Sequence, residues 1–251
     1  MIKLLKAFLF DMDGVLFDSM KNHAEAWYRV MGEHYGFTCD RDVFYLYEGS
    51  TGQQTIDAFF VQQRGRHATE DEISTIYAEK SQVFTSLGLA MPMPGAADVL
   101  RKVGERGLKR ILVTGSGQPS LIGRLQDAYP GVFTPETIVW GKECPIGHGK
   151  PHPDPYLLGL RKAAGILEPL DWQKADPSEG FGGLLPSEAI VVENAPMGVE
   201  AAHAAGIYTV AVNTGPLDKS VLLDSGADIV FDSMIDLAAN FDSLVAAIID
   251  R

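Results

Sequence analysis

Six short runs of this chain are apolar almost without interruption, and each stops at a small or acidic residue. They are Ala7–Phe10 before Asp11, Arg110–Val113 before Thr114, Thr137–Trp140 before Gly141, Ala189–Val192 before Glu193, Ile207–Val212 before Asn213 and Asp228–Phe231 before Asp232. Their residues are largely β-branched or aromatic and do not alternate with polar ones. That is the pattern of strands buried on both faces of a parallel sheet. Helical stripes separate them, at Ala96–Arg106, Ser120–Tyr129, Pro155–Gly165 and the alanine-rich Gly198–Gly206. Strand alternating with helix predicts βαβ units and an α/β fold with a doubly wound parallel sheet. Ligands of such sheets bind beyond the C-terminal strand ends. The residues that stop the strands are therefore the candidates for chemistry.

One stretch breaks the alternation. Residues 19–91 read as helices only, at Ser19–Met31, Gln53–Gln63 and Glu70–Leu87, the last started by a capping box of Thr69 with Glu72. Pro92, Pro94 and Gly95 mark the return to the sheet. We expect a helical cap domain over 19–91, inserted into a core made of 1–18 and 92–251. A second irregular stretch, Glu168–Leu185, is rich in Gly, Pro and Asp, and we expect a long surface loop there.

Charge narrows the partners. With 21 Lys+Arg against 33 Asp+Glu the formal net charge is −12. A nucleic-acid backbone or an anionic membrane needs a basic face, so neither is expected. A small anionic substrate remains compatible, because one local cation cluster suffices to hold it. The two cysteines, Cys39 and Cys144, form no CxxC pair, which fits a reducing cytoplasm and no disulfide scaffold. The first apolar run is too short for a secretory signal, and no run reaches the ~20 residues that span a bilayer.

Four strand ends carry polar motifs. Asp11–Met12–Asp13–Gly14 sets two carboxylates two residues apart before a turn. Thr114–Gly115–Ser116–Gly117 offers a hydroxyl followed by backbone amides, a plausible phosphate cradle. Gly149–Lys150–Pro151–His152–Pro153–Asp154–Pro155 fixes one lysine in a proline-stiffened loop. His148 and His152 have their i,i+4 spacing spoiled by Pro151 and read as loop histidines. Glu193–Asn194 supplies hard oxygens suited to Mg²⁺. Taken singly, each motif reads equally well as an ordinary turn or helix N-cap.

Taken in order at successive strand ends, the four motifs resemble the haloacid dehalogenase superfamily, in its subgroup with a helical cap. The nearest resemblance is to the β-phosphoglucomutase-like phosphatases and mutases, and it extends to the tail Gly206–Ile207–Tyr208–Thr209–Val210. The resemblance implies that Asp11 is the nucleophile that takes the phosphoryl group, and that Asp13 is the general acid/base. It implies that Thr114 and Lys150 hold phosphoryl oxygens, with Met12, Gly115 and Ser116 beside them. Mg²⁺ would lie between Asp11, the Asp13 carbonyl and the Glu193–Asn194 pair. Asp18 and Ser19 would form the hinge. His23 would face the substrate from the first cap helix, with Trp27 in the cap's own core. The second aspartate argues against a true dehalogenase.

Three departures from the family pattern bear on the substrate. Asn194 stands where an aspartate usually binds the metal, so Glu48 is the candidate to restore the missing charge. Gly52 stands where the mutases carry a sugar-phosphate-clamping arginine, and Gly117–Gln118 stands where they often carry a cation. The expectation is a Mg²⁺-dependent phosphohydrolase acting on a small phosphorylated metabolite or inorganic pyrophosphate, its oligomeric state open with a monomer favoured. The alternatives are a sugar phosphomutase, which would need a clamping cation such as Lys80, or a binding protein that has lost its chemistry.

Overall fold

The computed structural model describes residues 4–115, 120–176 and 181–249. In chain order its elements are β1 (Ala7–Phe10), α1 (Met20–Trp27), α2 (Val43–Leu46), α3 (Gly52–Arg64), α4 (Glu70–Ser86), α5 (Ala96–Glu105) and β2 (Lys109–Thr114). There follow α6 (Ser120–Ala128), β3 (Ile138–Trp140), α7 (Asp154–Ala163), β4 (Ala189–Glu193), α8 (Pro196–Ala204), β5 (Tyr208–Val212), α9 (Lys219–Asp224), β6 (Ile229–Phe231) and α10 (Met234–Ile249).

The six strands form one parallel sheet in the order β3-β2-β1-β4-β5-β6. Successive side chains of a strand point to opposite faces, and β1 shows the consequence. Phe8 and Phe10 pack with Val99, Leu100, Leu237 and Phe241 of α5 and α10, whereas Ala7 and Leu9 pack with Tyr156, Leu160, Ala201 and Ala202 of α7 and α8. Both faces are thus covered, which is why the runs are continuously apolar. The strand order reverses at β1, between β2 and β4. That switch point opens a crevice at the strand ends, and there Asp11 follows β1.

Between β1 and α5 the chain is helical. Helices α1–α4 enclose a cluster of their own, built on Trp27, Val30, Phe44, Ile56, Phe59, Phe60 and Ile76. The Thr69–Glu72 capping box is formed, and Thr51 with Gln54 makes a second one at the start of α3. The helix expected over Ser19–Met31 is shorter. After Trp27 it widens into a π-helical stretch, Tyr28–His34, in which Val30 and Met31 are buried. A wider turn shifts which residues face inward, and here it seats both apolar side chains in the cluster.

The surface loop expected over Glu168–Leu185 requires a correction. Phe181 is buried and packs edge-on against Trp172, with ring centroids 5.5 Å apart, in the cluster beneath α7. The Arg161 guanidinium donates to the Phe181 carbonyl at 2.9 Å. Two aromatic side chains in a polar stretch find more stabilisation in that cluster than in water. Among the described residues no helix is long and apolar enough to cross a membrane.

Candidate active site

The end of β1 continues the sheet for one more residue, with the Asp11 amide donating to the Val192 carbonyl at 3.0 Å. This aims the Asp11 carboxylate into the crevice. Lys150 arrives from the loop before α7, and its ammonium donates to Asp11 Oδ1 at 2.5 Å, Glu193 Oε1 at 2.6 Å and the Val113 carbonyl at 3.2 Å. Three protons meet three acceptors, and all three side chains are buried. Burial pushes the Asp11 carboxyl up to about 7; Lys150 pulls it down, while Glu193 and Asp13 push it further up. Lys150 moves above its ordinary value, because the two carboxylates outweigh the effect of its burial.

Glu193, expected beside the metal, is held by protein donors. Its Oε1 also accepts from the Tyr156 hydroxyl at 2.6 Å, and its Oε2 accepts from the Asn194 and Ala195 amides at 2.9 and 3.3 Å. Both oxygens are occupied by protein donors. Glu193 therefore fixes Lys150 and the turn after β4.

Asp13 lies on the cap side of the cavity. Its Oδ1 accepts from the Ser19 hydroxyl and lies 3.4 Å from His23 Nε2. His23 Nδ1 is 2.7 Å from the Lys80 ammonium, which donates to it. Burial disfavours the Asp13 anion, yet His23, the Ser19 hydroxyl and the Lys80 charge hold its carboxyl low, at about 2. His23 is lowered by burial and by Lys80, against the pull of Asp13. Burial pulls Lys80 itself down to about 8.

Glu48 reaches the strand ends. Its Oε1 accepts from Asn194 Nδ2 at 2.9 Å, and it is 7% exposed. Burial raises its carboxyl well above the ordinary range; the Asn194 hydrogen bond lowers it, and Asp11, Glu193 and Asp13 raise it. Asn194 Oδ1 is buried with no hydrogen-bond partner among the described residues. Gly14, with a φ of +84°, is what lets Asn194 lie this close: a Cβ there would stand 2.0 Å from Asn194 Nδ2. Asp11, Asp13 and Glu48, together with an orphaned amide oxygen, form a hard-oxygen set in which carboxylates raise one another's pKa. That chemistry fits a divalent cation of the Mg²⁺ type.

Asp11, Asp13 and Glu48 share a cavity of about 110 Å³. Asp11, Met12, Thr114 and Gly115 line its floor, and His23, Glu48, Tyr77 and Lys80 its roof. Trp27 lines it too while packing into the helical cluster, in line with its expected place there. Ser116, expected beside the phosphate, lies outside the described residues, as do Gly117 and Gln118. Arg124 of α6 is a lining residue absent from the sequence reading. Its guanidinium sits 4.8 Å over the Phe17 ring, and its Nη2 is buried without a hydrogen-bond partner among the described residues. A lone arginine in the short helix after the Thr114 turn was the available signal. Gly52 adds a steric fact: a Cβ there would lie 2.2 Å from the Tyr77 ring. The place of a side chain at 52 is taken.

A family model described as haloacid dehalogenase-like hydrolase matches residues 5–206. Hexitol phosphatase A of Escherichia coli K12 is 29% identical, with 91% of each chain covered. The phosphorylated carbohydrates phosphatase of Thermotoga maritima is 28% identical over 89% of this chain and 92% of its own. Among solved structures, a candidate β-phosphoglucomutase from Bacteroides vulgatus superposes with a TM-score of 0.85 at 44% identity, over 98% of this chain and 91% of that one.

Proposed function

The chain belongs to the haloacid dehalogenase-like hydrolases, and from that premise we propose that it is a Mg²⁺-dependent phosphohydrolase working through an aspartyl phosphate on Asp11. Its proposed substrate is a small phosphorylated metabolite or inorganic pyrophosphate. The chain is an enzyme of the phosphatase or phosphomutase kind; the choice between the two is the proposal. Residues 19–91 are taken as the cap over a core of 1–18 and 92–251, acting as a monomer in the cytoplasm.

The observation that carries the reading is the unlike treatment of two carboxylates in one cavity. Asp11 is gripped by Lys150 in line with the sheet, whereas Asp13 is kept ionised by Ser19 and His23. The Asp11 carboxylate attacks phosphorus, and the bond to the leaving oxygen breaks. Lys150, Thr114 and the Gly115 amide hold the phosphoryl oxygens as charge develops. Asp13 then takes a proton from water, whose oxygen attacks the acyl phosphate and frees Asp11. Asp11, the Asp13 carbonyl and Asn194, with Glu48 in support, would hold Mg²⁺, which when bound neutralises charge on the transferring group.

An Asp13 held at about 2 is ionised at neutral pH and carries no proton to hand to a leaving group. Substrates whose leaving group departs without a proton suit it best, and a phosphoanhydride is such a substrate. Lys80 and Arg124 give its second phosphate two cations to meet. Lys80 is thus the cation that the cap loop lacks, and it lends some support to the mutase reading as well. Against that reading stand the filled space at Gly52 and the acidic Glu48 at the mouth.

The test is phosphate release from pyrophosphate, p-nitrophenyl phosphate and sugar phosphates, with Mg²⁺ and with a chelator. Beside it runs conversion of β-glucose 1-phosphate to glucose 6-phosphate with a bisphosphate primer. Mg²⁺-dependent release with little isomerisation is expected. Efficient isomerisation without release would overturn the proposal.

A further inference from the structure

His148, His152 and Asp154 take no part in the chemistry above, although they flank Lys150 in the same loop. Pro151 breaks the helical spacing of the two histidines, yet the loop folds back and sets their rings 4.4 Å apart between centroids. His148 Nδ1 lies 2.7 Å from Asp154 Oδ2, and His152 Nδ1 lies 3.2 Å from Asp154 Oδ1. One ligand atom from each residue falls within 4.8 Å of the other two.

Hydrogen bonding within the cluster leaves it unsatisfied. The Asp154 amide donates to His152 Nδ1 at 3.3 Å, so the lone pair of that nitrogen is directed at a donor. A nitrogen that accepts there cannot also donate to Asp154 Oδ1. Asp154 is 2% exposed, and this oxygen has no hydrogen-bond partner among the described residues. The buried Oδ1 thus stands 3.2 Å from the His152 ring nitrogen with no proton shared between them. Oδ2 is already hydrogen-bonded to His148 Nδ1, and a cation would give the buried Oδ1 the partner it lacks.

We infer that His148, His152 and Asp154 form a second metal site, selective for a borderline transition ion such as Zn²⁺ and separate from the oxygen-lined site at Asp11. Two imidazoles and one carboxylate suit Zn²⁺ or Co²⁺, whereas Mg²⁺ prefers oxygen throughout. Donors about 2.0–2.1 Å from a tetrahedral ion stand roughly 3.3 Å apart. The 2.7 and 3.2 Å separations both lie a little below that scale. Both histidine side chains are more than a third exposed, so an ion has an entry path and water has the fourth position. Such an ion ties the loop that presents Lys150 to the first turn of α7. It also lies against the inserted loop, because Trp172 meets the His148 ring edge-on at 6.2 Å.

The test uses the untagged full-length protein, stripped of metal and held in excess Mg²⁺. Co²⁺ is titrated in and followed by its visible absorption, and Zn²⁺ is then added as competitor. One equivalent of Co²⁺ with a tetrahedral spectrum is expected, displaced by Zn²⁺ and not by Mg²⁺. His148→Ala and His152→Ala should each weaken binding at least about tenfold, while Asp11→Asn should bind as the parent does. A double-histidine variant with the parent's stoichiometry and spectrum would overturn the inference, and so would failure to retain Co²⁺ in excess Mg²⁺.

Discussion

The two walls of the cavity hold their charges in different ways. On the sheet wall every charged group touches its opposite: Lys150 sits between Asp11 and Glu193, and Tyr156 and two backbone amides complete Glu193. On the helical wall the charges are spaced or mismatched. Lys80 meets an imidazole, and Glu48 meets an amide. A wall whose charges are internally paired is preorganised and needs no ligand to complete it, as catalysis on a fixed phosphoryl group demands. A wall with unspent charge is completed by what binds there. The sheet wall therefore sets the reaction, and the helical wall sets the substrate.

The sharpest way to break this division is to remove a paired charge from the sheet wall. Asp11→Asn should abolish turnover, a loss of at least about 10⁴-fold, with the fold intact by circular dichroism. Lys150→Met should cost about 10²–10³-fold in kcat. It should also lower stability by about 3–5 kcal/mol, because two buried carboxylates lose their shared ammonium. Chemical denaturation of Lys150→Met measures the second effect. Unchanged stability would mean that the triad is not paired in solution.

A smaller effect is expected on the helical wall, and it should fall on KM. Lys80→Met should raise KM for pyrophosphate roughly 10–100-fold, with kcat changed much less. In the parent the Lys80 charge disappears as pH rises through about 8, well below its ordinary 10.5. KM should therefore climb across that range in the parent and stay flat in Lys80→Arg. The sign for stability is the reverse. A lysine with a depressed folded pKa binds fewer protons folded than unfolded between about 8 and 10.5, so parent stability should rise with pH there. Lys80→Met should lack that rise.

The smallest effect sharpens the boundary between the walls, where Glu48 meets Asn194. Glu48→Gln should raise the half-saturating Mg²⁺ concentration about tenfold, the loss of one charge near the ion. Asn194→Asp should lower it. Without metal the same change sets two acids face to face, so Asn194→Asp should melt lower in chelator and recover in Mg²⁺. A melting temperature indifferent to Mg²⁺ in both variants would place the metal elsewhere.

The sheet wall was legible in the sequence because strand ends are sequence-local. An apolar run that stops at Asp11, Thr114 or Glu193 announces both the strand and the residue it aims. The helical wall was half legible. Glu48 was singled out from a missing charge at Asn194, and its contact with that residue is formed. Arg124 was passed over, since a helix read for its apolar stripe hides the polar residue that faces a cavity. The amphipathic α10, with Leu237, Phe241, Leu244 and Val245 on one face, carried a readable period that went unread. Phe181 was misplaced because composition describes a loop's average, whereas packing is decided by single side chains. The hydrogen bonding of Glu193 could not be judged from sequence. It depends on Tyr156, which reaches it from a helix 37 residues away in the chain.

The contact between Gly52 and Tyr77 has a bearing on how such a protein could change its substrate over evolutionary time. Position 52 and position 77 come from different helices, yet they compete for one volume. A long cation at 52 needs the ring at 77 to move aside or shrink, and shrinking the ring alone provides no grip on a sugar phosphate. Either change taken first disturbs that wall: a smaller residue at 77 removes it, and a side chain at 52 displaces it. The glycine is in this sense a historical lock, which keeps the pocket small by making the first step away from it unrewarding.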